Sequence, residues 1–149
     1  MNVAITRALP ADLDRLIDLV AMFYAEEGYR FDAGTARALE ELLADGDLGA
    51  VWVFREEAAI VGYLVVTFGF SLEFRGQNAF VDELFVAPPH RGRGLGAAAL
   101  AVAEEFCRSA GIATLRLEVE RENPRAQALY EKKGFRAHPR HILTKWLDQ

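Results

Sequence analysis

The stretch AFVDELFVAPPHRGRGLGAAALAVAEEFCRSAGIATLRLEVE, residues 79–120, constrains the fold more than any other. Ala79 to Val86 reads as a strand and Pro88 and Pro89 end it. From about Leu95 to Ala110, Leu95, Ala99, Val102, Ala103, Phe106 and Ala110 recur at helical spacing. Leu115, Leu117 and Val119 then alternate as one face of another strand. A strand, a helix and a strand in one sheet need a crossover connection, so the two strands should run parallel.

The other segments fit around this unit. NVAITRAL alternates as a first strand. Leu13, Leu16, Ile17, Val20, Phe23 and Tyr24 follow at helical spacing, with Asp12 and Asp14 near the helix start, where the dipole favours them. Gly28 ends that helix, and a second covers about Thr35 to Leu43. GAVWVFREEAAIVGYLVVTFGFSLEF reads as two strands joined around Glu56 to Ala58. The second of them, Ile60 to Phe70, is apolar on both faces and so central in the sheet. NPRAQALYEKKGF is a helix with Asn123 as cap, Pro124 in the first position and Gly134 as stop. Ile142 to Leu147 reads as a closing strand. The expected order is β-α-α-β-β-β-α-β-α-β-β, an α/β fold of the α+β mixed-sheet kind with helices on both faces, over one domain, residues 1–149.

Composition excludes several classes. A net charge of -5 argues against a nucleic-acid or anionic-membrane binder. The single cysteine, Cys107, excludes a disulfide framework within the chain. The N-terminus lacks a secretory pattern, and the longest apolar run is too short for a membrane-spanning helix. These features lead us to expect a cytoplasmic protein. His90, His138 and His141 lack metal-ligand spacing, and no metal is expected.

The glycine stretch is where chemistry enters. A helix N-terminus exposes backbone N–H groups and a partial positive charge, and glycines before it let an anion approach. Gly92, Gly94 and Gly96 fit a phosphate or pyrophosphate site, with Arg91 and Arg93 adding attraction. A solvated basic loop is the plain alternative. A dinucleotide fingerprint is another, since GRGLGA satisfies G-x-G-x-x-G/A. That fold wants a tight turn directly after its strand, however, and here Pro88 to Arg91 intervene.

A third alternative is a coenzyme A pyrophosphate loop, and here the chain resembles the GNAT acyltransferase superfamily. The signature Arg/Gln-x-x-Gly-x-Gly/Ala falls on Arg91, Gly94 and Gly96. The resemblance extends over DELFVAPPHRGRGLG and LRLEVERENPRAQALYEKKGF, and covers Ala79 to Phe135. It implies acetyl-CoA as cofactor and transfer of the acetyl group to a primary amine by direct attack in a ternary complex. It further implies that Arg91, Gly92, Arg93, Gly94, Leu95, Gly96 and Ala97 hold the pyrophosphate. Leu84, Phe85 and Val86 would lie along the pantetheine arm, with the Val86 N–H toward the thioester carbonyl. Asn123, Ala126 and Tyr130 would meet the cofactor from the next helix.

The same resemblance assigns catalytic roles. Tyr130, in ALYEKKGF, would protonate the leaving thiolate, although without the motif it reads as a core aromatic. Asp82 and Glu83 offer a base for the acceptor ammonium. Adjacent strand residues face opposite ways unless a bulge intervenes, so one of them, Glu83 before Asp82, should face the acceptor. The acidic pair looks most like the polyamine-acetyltransferase version. Tyr24, Glu26, Glu27, Tyr29, Phe70 and Glu73, with Phe74, could hold a cationic acceptor by charge and aromatic faces. The expected partner is a small-molecule amine or a peptide amine, with neither nucleic acid nor membrane, and a homodimer by analogy. The rival from another class is a non-catalytic coenzyme A-binding module that binds a protein.

Overall fold

A computed structural model describes residues 2–149 of the chain. The described residues divide into two compact units, the first ending at Glu118 and the second covering residues 119–149. The first carries β1 (Val3–Arg7), α1 (Leu13–Glu27), α2 (Ala33–Ala44), β2 (Gly49–Glu56), β3 (Ala59–Ser71), β4 (Gly76–Val86), α3 (Leu95–Ser109) and β5 (Leu115–Leu117). The second carries α4 (Pro124–Lys132).

The strands form one five-stranded sheet in the order β1-β2-β3-β4-β5. The first three pairings are antiparallel, and β4 pairs β5 in parallel, as the crossover requires. Alternation then sorts the side chains onto two faces. Val51, Val53, Tyr63, Val65 and Phe85 form one core with Leu16, Leu19 and Val20 of α1 and Leu39 of α2. Trp52, between two of these on β2, points to the other face, where Phe106 of α3 meets its ring edge-on at 5.0 Å. Helices therefore cover both faces. Each large apolar side chain so buried stabilises the fold by about 1.5–3 kcal/mol.

Helix ends follow their local chemistry. Gly28 closes α1 at φ 76°, a conformation that a side chain disfavours. The Asp32 carboxylate caps α2 by accepting the Gly34 and Thr35 N–H groups at 2.8 and 3.3 Å. Before α1, the buried Asp12 carboxylate accepts the Leu9 N–H at 2.7 Å and an Arg55 N–H at 2.6 Å. Burial pushes its carboxyl up, but these two partners outweigh that and hold it below the ordinary range.

Two expectations need correction. Of the stretch that alternates as Leu115, Leu117 and Val119, only Leu115–Leu117 forms a strand, and Val119 is exposed. Its ladder to β4 covers Ala79 to Val81 and stops where β4 bulges. The two strands expected after α4, the last over Ile142–Leu147, do not form, and residues 136–149 contain no regular element. A strand is held by a ladder to a neighbour, and alternation alone supplies none. Ile142, Leu143, Trp146 and Leu147 are exposed.

Candidate active site

The site is organised by one irregularity in β4. Val65 of β3 pairs Glu83, but Val66 pairs Val81, so Asp82 is an extra residue with no partner across the ladder. Such a bulge bends its strand and re-aims its side chains. It also changes which backbone groups face outward. The Ala79 N–H donates to Thr114 O, just ahead of β5, whereas the Ala87 N–H donates to Val61 O on the β3 side. Alternation back from Ala87 turns the N–H and C=O groups of Leu84 and Val86 away from β3. They face the edge that β5, ending its ladder at Val81, leaves open. The Val86 carbonyl accepts the Arg91 Nε–H at 2.8 Å, which fits this direction.

The bulge presents Glu83 to the face that α1 covers. Tyr24 of α1 and Tyr63 of β3 each donate their phenol O–H to it, Tyr24 to Oε2 and Tyr63 to Oε1, the latter at 2.6 Å. Burial pushes the Glu83 carboxyl above the usual range, the two phenols work against that, and the negative charge of Asp82 adds to it. Among the described residues no Lys, Arg or His pairs with Glu83. Burial first, and then Glu83, push both phenols far above the ordinary tyrosine value, so they remain donors. Asp82 itself meets solvent, although the surrounding protein desolvates its carboxyl enough to raise it. Of the two acids, Glu83 is the enclosed one.

Tyr24 also belongs to an aromatic cluster. Its ring meets those of Phe23, Tyr29 and Phe31 edge-on, with centroids 5.9, 5.5 and 6.1 Å away. Tyr29 is exposed. The cluster continues into the core through Phe23, whose ring lies 5.3 Å from that of Phe85. Glu27 is exposed at the same helix end. Phe70 and Glu73 are not brought to this place. Phe70 pairs Gln77 five positions beyond the Val65–Glu83 pair, about 16 Å along the hairpin, and is exposed.

After β4 the chain makes a short 3-10 turn over Pro88–His90 and then the glycine turn. Gly92 and Gly94 both sit at φ 78°, and a Cβ built on either meets nothing within 4 Å. Glycine is therefore required there by backbone conformation rather than by crowding. Gly94 precedes α3 without a side-chain cap, and the first helical bond runs from Ala98 N–H to Gly94 O. The N–H groups of Leu95, Gly96 and Ala97 thus head an uncapped turn. Arg91 and Arg93 are both engaged. Arg91 Nη2 reaches the Glu26 oxygens at 2.9 and 3.0 Å, and its guanidinium lies 5.4 Å from the Phe85 ring centroid. Arg93 Nη1 contacts Glu56 at 2.7 Å and His90 Nδ1 at 3.3 Å.

In the second unit, Asn123 Oδ1 caps α4 by accepting the Ala126 N–H at 3.1 Å. The Gln127 amide donates to the Glu120 and Arg121 carbonyls at 3.0 Å each and closes the preceding loop. The Tyr130 ring packs edge-on against Phe135 at 6.0 Å, and burial pushes its phenol up. Arg121 contacts the His141 ring at 2.7 Å, and Arg140 contacts His138 at 3.1 Å.

Sequence reasoning did not single out Tyr63. A signal was available, because a tyrosine inside the apolar run Ile60–Phe70 needs a partner for its hydroxyl once buried. Glu56 as the partner of Arg93 left no such signal.

The sequence profile of the Acetyltransferase (GNAT) family matches residues 14–135, a span that runs through both units. The chain belongs to the GNAT acetyltransferase family. An integron cassette protein from the mobile metagenome of Cole Harbour Salt Marsh shares the fold, with a TM-score of 0.84 and 37% identity over 96% of this chain and 90% of that one. Streptothricin acetyltransferase of Streptomyces lavendulae is 30% identical over 74% of this chain and 50% of its own length. Thialysine N-epsilon-acetyltransferase of Bos taurus is 33% identical over 50% of this chain and 44% of its own. The chain thus spans about half the length of these curated relatives.

Proposed function

We propose that this GNAT-family chain transfers the acetyl group of acetyl-CoA to a primary amine by direct attack in a ternary complex. The observation that carries this reading is Glu83, an enclosed carboxylate with two phenol donors and no cation, set beside the outward-facing backbone of Leu84 and Val86. An enclosed anion without a counter-charge favours a cationic ligand. The aromatic faces of Tyr24, Tyr29 and Phe31 suit the same charge, which supports a small cationic amine as acceptor.

In this scheme the Leu95, Gly96 and Ala97 amides hold the pyrophosphate, and Arg91 and Arg93 add charge. The Val86 N–H donates to the thioester carbonyl as it becomes an oxyanion. Glu83, directly or through water, takes one proton from the acceptor ammonium. The amine lone pair attacks the carbonyl carbon, the C–S bond breaks, the thiolate takes a proton from the Tyr130 phenol, and the second proton leaving the nitrogen restores that phenol through water. The products are the acetylated amine and the free thiol of coenzyme A. Burial keeps Tyr130 protonated through neutral pH, which supports its role as donor.

Thiol release from acetyl-CoA, followed across polyamines, aminoglycosides, amino acids and lysine peptides, tests the reading. Turnover with one amine class is expected, and Tyr130→Phe should lower kcat by about 10²–10⁴ at unchanged acetyl-CoA affinity. Binding of acetyl-CoA with no turnover on any amine would favour a coenzyme A-binding module instead.

A further inference from the structure

Glu83 is not a lone carboxylate. Its two oxygens are divided between two tyrosines on different elements, Oε2 to Tyr24 of α1 and Oε1 to Tyr63 of β3. The two donors differ in setting. Tyr63 is fully buried in the sheet, with its ring 6.0 Å from that of Phe85. Tyr24 stands at the edge of the core, ringed by Phe23, Tyr29 and Phe31. No other titratable side chain of α1, β3 or β4 acts on Glu83 besides Asp82, its neighbour on the same strand. A negative neighbour and burial both work against an ionised carboxylate, and only the two phenols work for it.

We propose that Tyr24 and Tyr63 are positioning residues for Glu83, a pair of phenol clamps that fix both carboxylate oxygens and keep the group ionised and ready to accept a proton. This rests on Glu83 being the base of the proposed reaction. Each clamp occupies one lone pair of one oxygen, so a further lone pair on each stays available for the incoming proton. The fixed element is Tyr63, which has no freedom to leave. Tyr24 sits among rings that suit a cation, so it clamps the base and borders the place of the acceptor.

The clamp is testable without knowing the acceptor. In protein labelled with ¹³C at the glutamate carboxyls, the Glu83 resonance is assigned by its loss in Glu83→Gln and followed against pH. In Tyr63→Phe and in Tyr24→Phe its titration should move to higher pH than in wild type, and further in the double variant. Melting curves show which variants are folded, and either single variant suffices if the other is not. An unmoved titration in a folded variant would overturn the clamp. With an amine that turns over, the acid limb of kcat/KM should move in the same direction. Both variants should lose about tenfold on that limb, the value of one hydrogen bond to a charged group. Tyr63→Phe should leave KM for the amine unchanged, whereas Tyr24→Phe should raise it. A Glu83→Gln enzyme with full activity would remove the base reading and the clamp together. A dead Glu83→Gln beside clamp variants of wild-type pH profile would remove the clamp alone.

Discussion

A carboxylate held against its own solvation preference is a stability cost that function can explain. Glu83 has its carboxyl pushed up by burial and by Asp82, so the folded protein holds a proton there more readily than the unfolded chain does. The sign of the pH effect follows. Between the ordinary glutamate value and the raised folded one, the folded state binds more protons, and its stability falls as pH rises through that window. Glu83→Gln removes this dependence and retains an oxygen for one phenol. It should therefore melt higher than wild type at neutral pH, and an unchanged or lower Tm would contradict the assigned cause. Asp12 is the opposite case. The Leu9 N–H and Arg55 hold its carboxyl low, so its contribution is present above the ordinary aspartate value and is lost as pH falls through the folded one. Asp12→Ala should cost about 3 kcal/mol at neutral pH and much less in acid, as denaturant titrations at the two pH values would show. The motif residues of the glycine turn and the acid pair were legible in the sequence because each is a residue type at a fixed spacing. The apolar run around Tyr63 signalled that its hydroxyl needs a partner, but not which one, because that partner lies 20 residues away.

At the scale of elements, one turn and one bulge set the geometry. The glycine turn before α3 needs positive φ at Gly92 and Gly94. Gly94→Val should weaken acetyl-CoA binding by at least about tenfold and destabilise the fold by roughly 1–2 kcal/mol, both measurable by calorimetry. Undiminished affinity in a folded Gly94→Val protein would contradict the pyrophosphate assignment. The bulge at Asp82 does the complementary task in β4: it ends the ladder with β5 and re-aims the acids. The helices and the long central strands were readable from periodicity because their burial is repetitive. A bulge leaves no periodic mark, since one extra residue in FVDELFV looks like ordinary alternation. The closing strand expected at Ile142–Leu147 failed for the converse reason: its alternation is present, but its ladder is not.

For the molecule as a whole, the crossover unit dictated the parallel pairing of β4 with β5, and the burial of Val51 and Val53 opposite Trp52 placed helices on both faces. The glycine turn and the acids then follow from one strand, β4, whose end leads into α3. The GNAT family profile, matched over residues 14–135, takes in that strand. The surroundings of Glu83 were the least legible part, because they are side chains gathered from α1, β3 and β4 rather than any contiguous motif. Central to the proposed reaction is Glu83 as the group that takes the acceptor's proton. The most direct test is the rate of acetyl transfer by Glu83→Gln beside wild type, at equal folded concentration and saturating acetyl-CoA. With Glu83 as the base, Glu83→Gln should lose about 10²–10⁴ in kcat with acetyl-CoA affinity unchanged. Equal rates for the two proteins would contradict it.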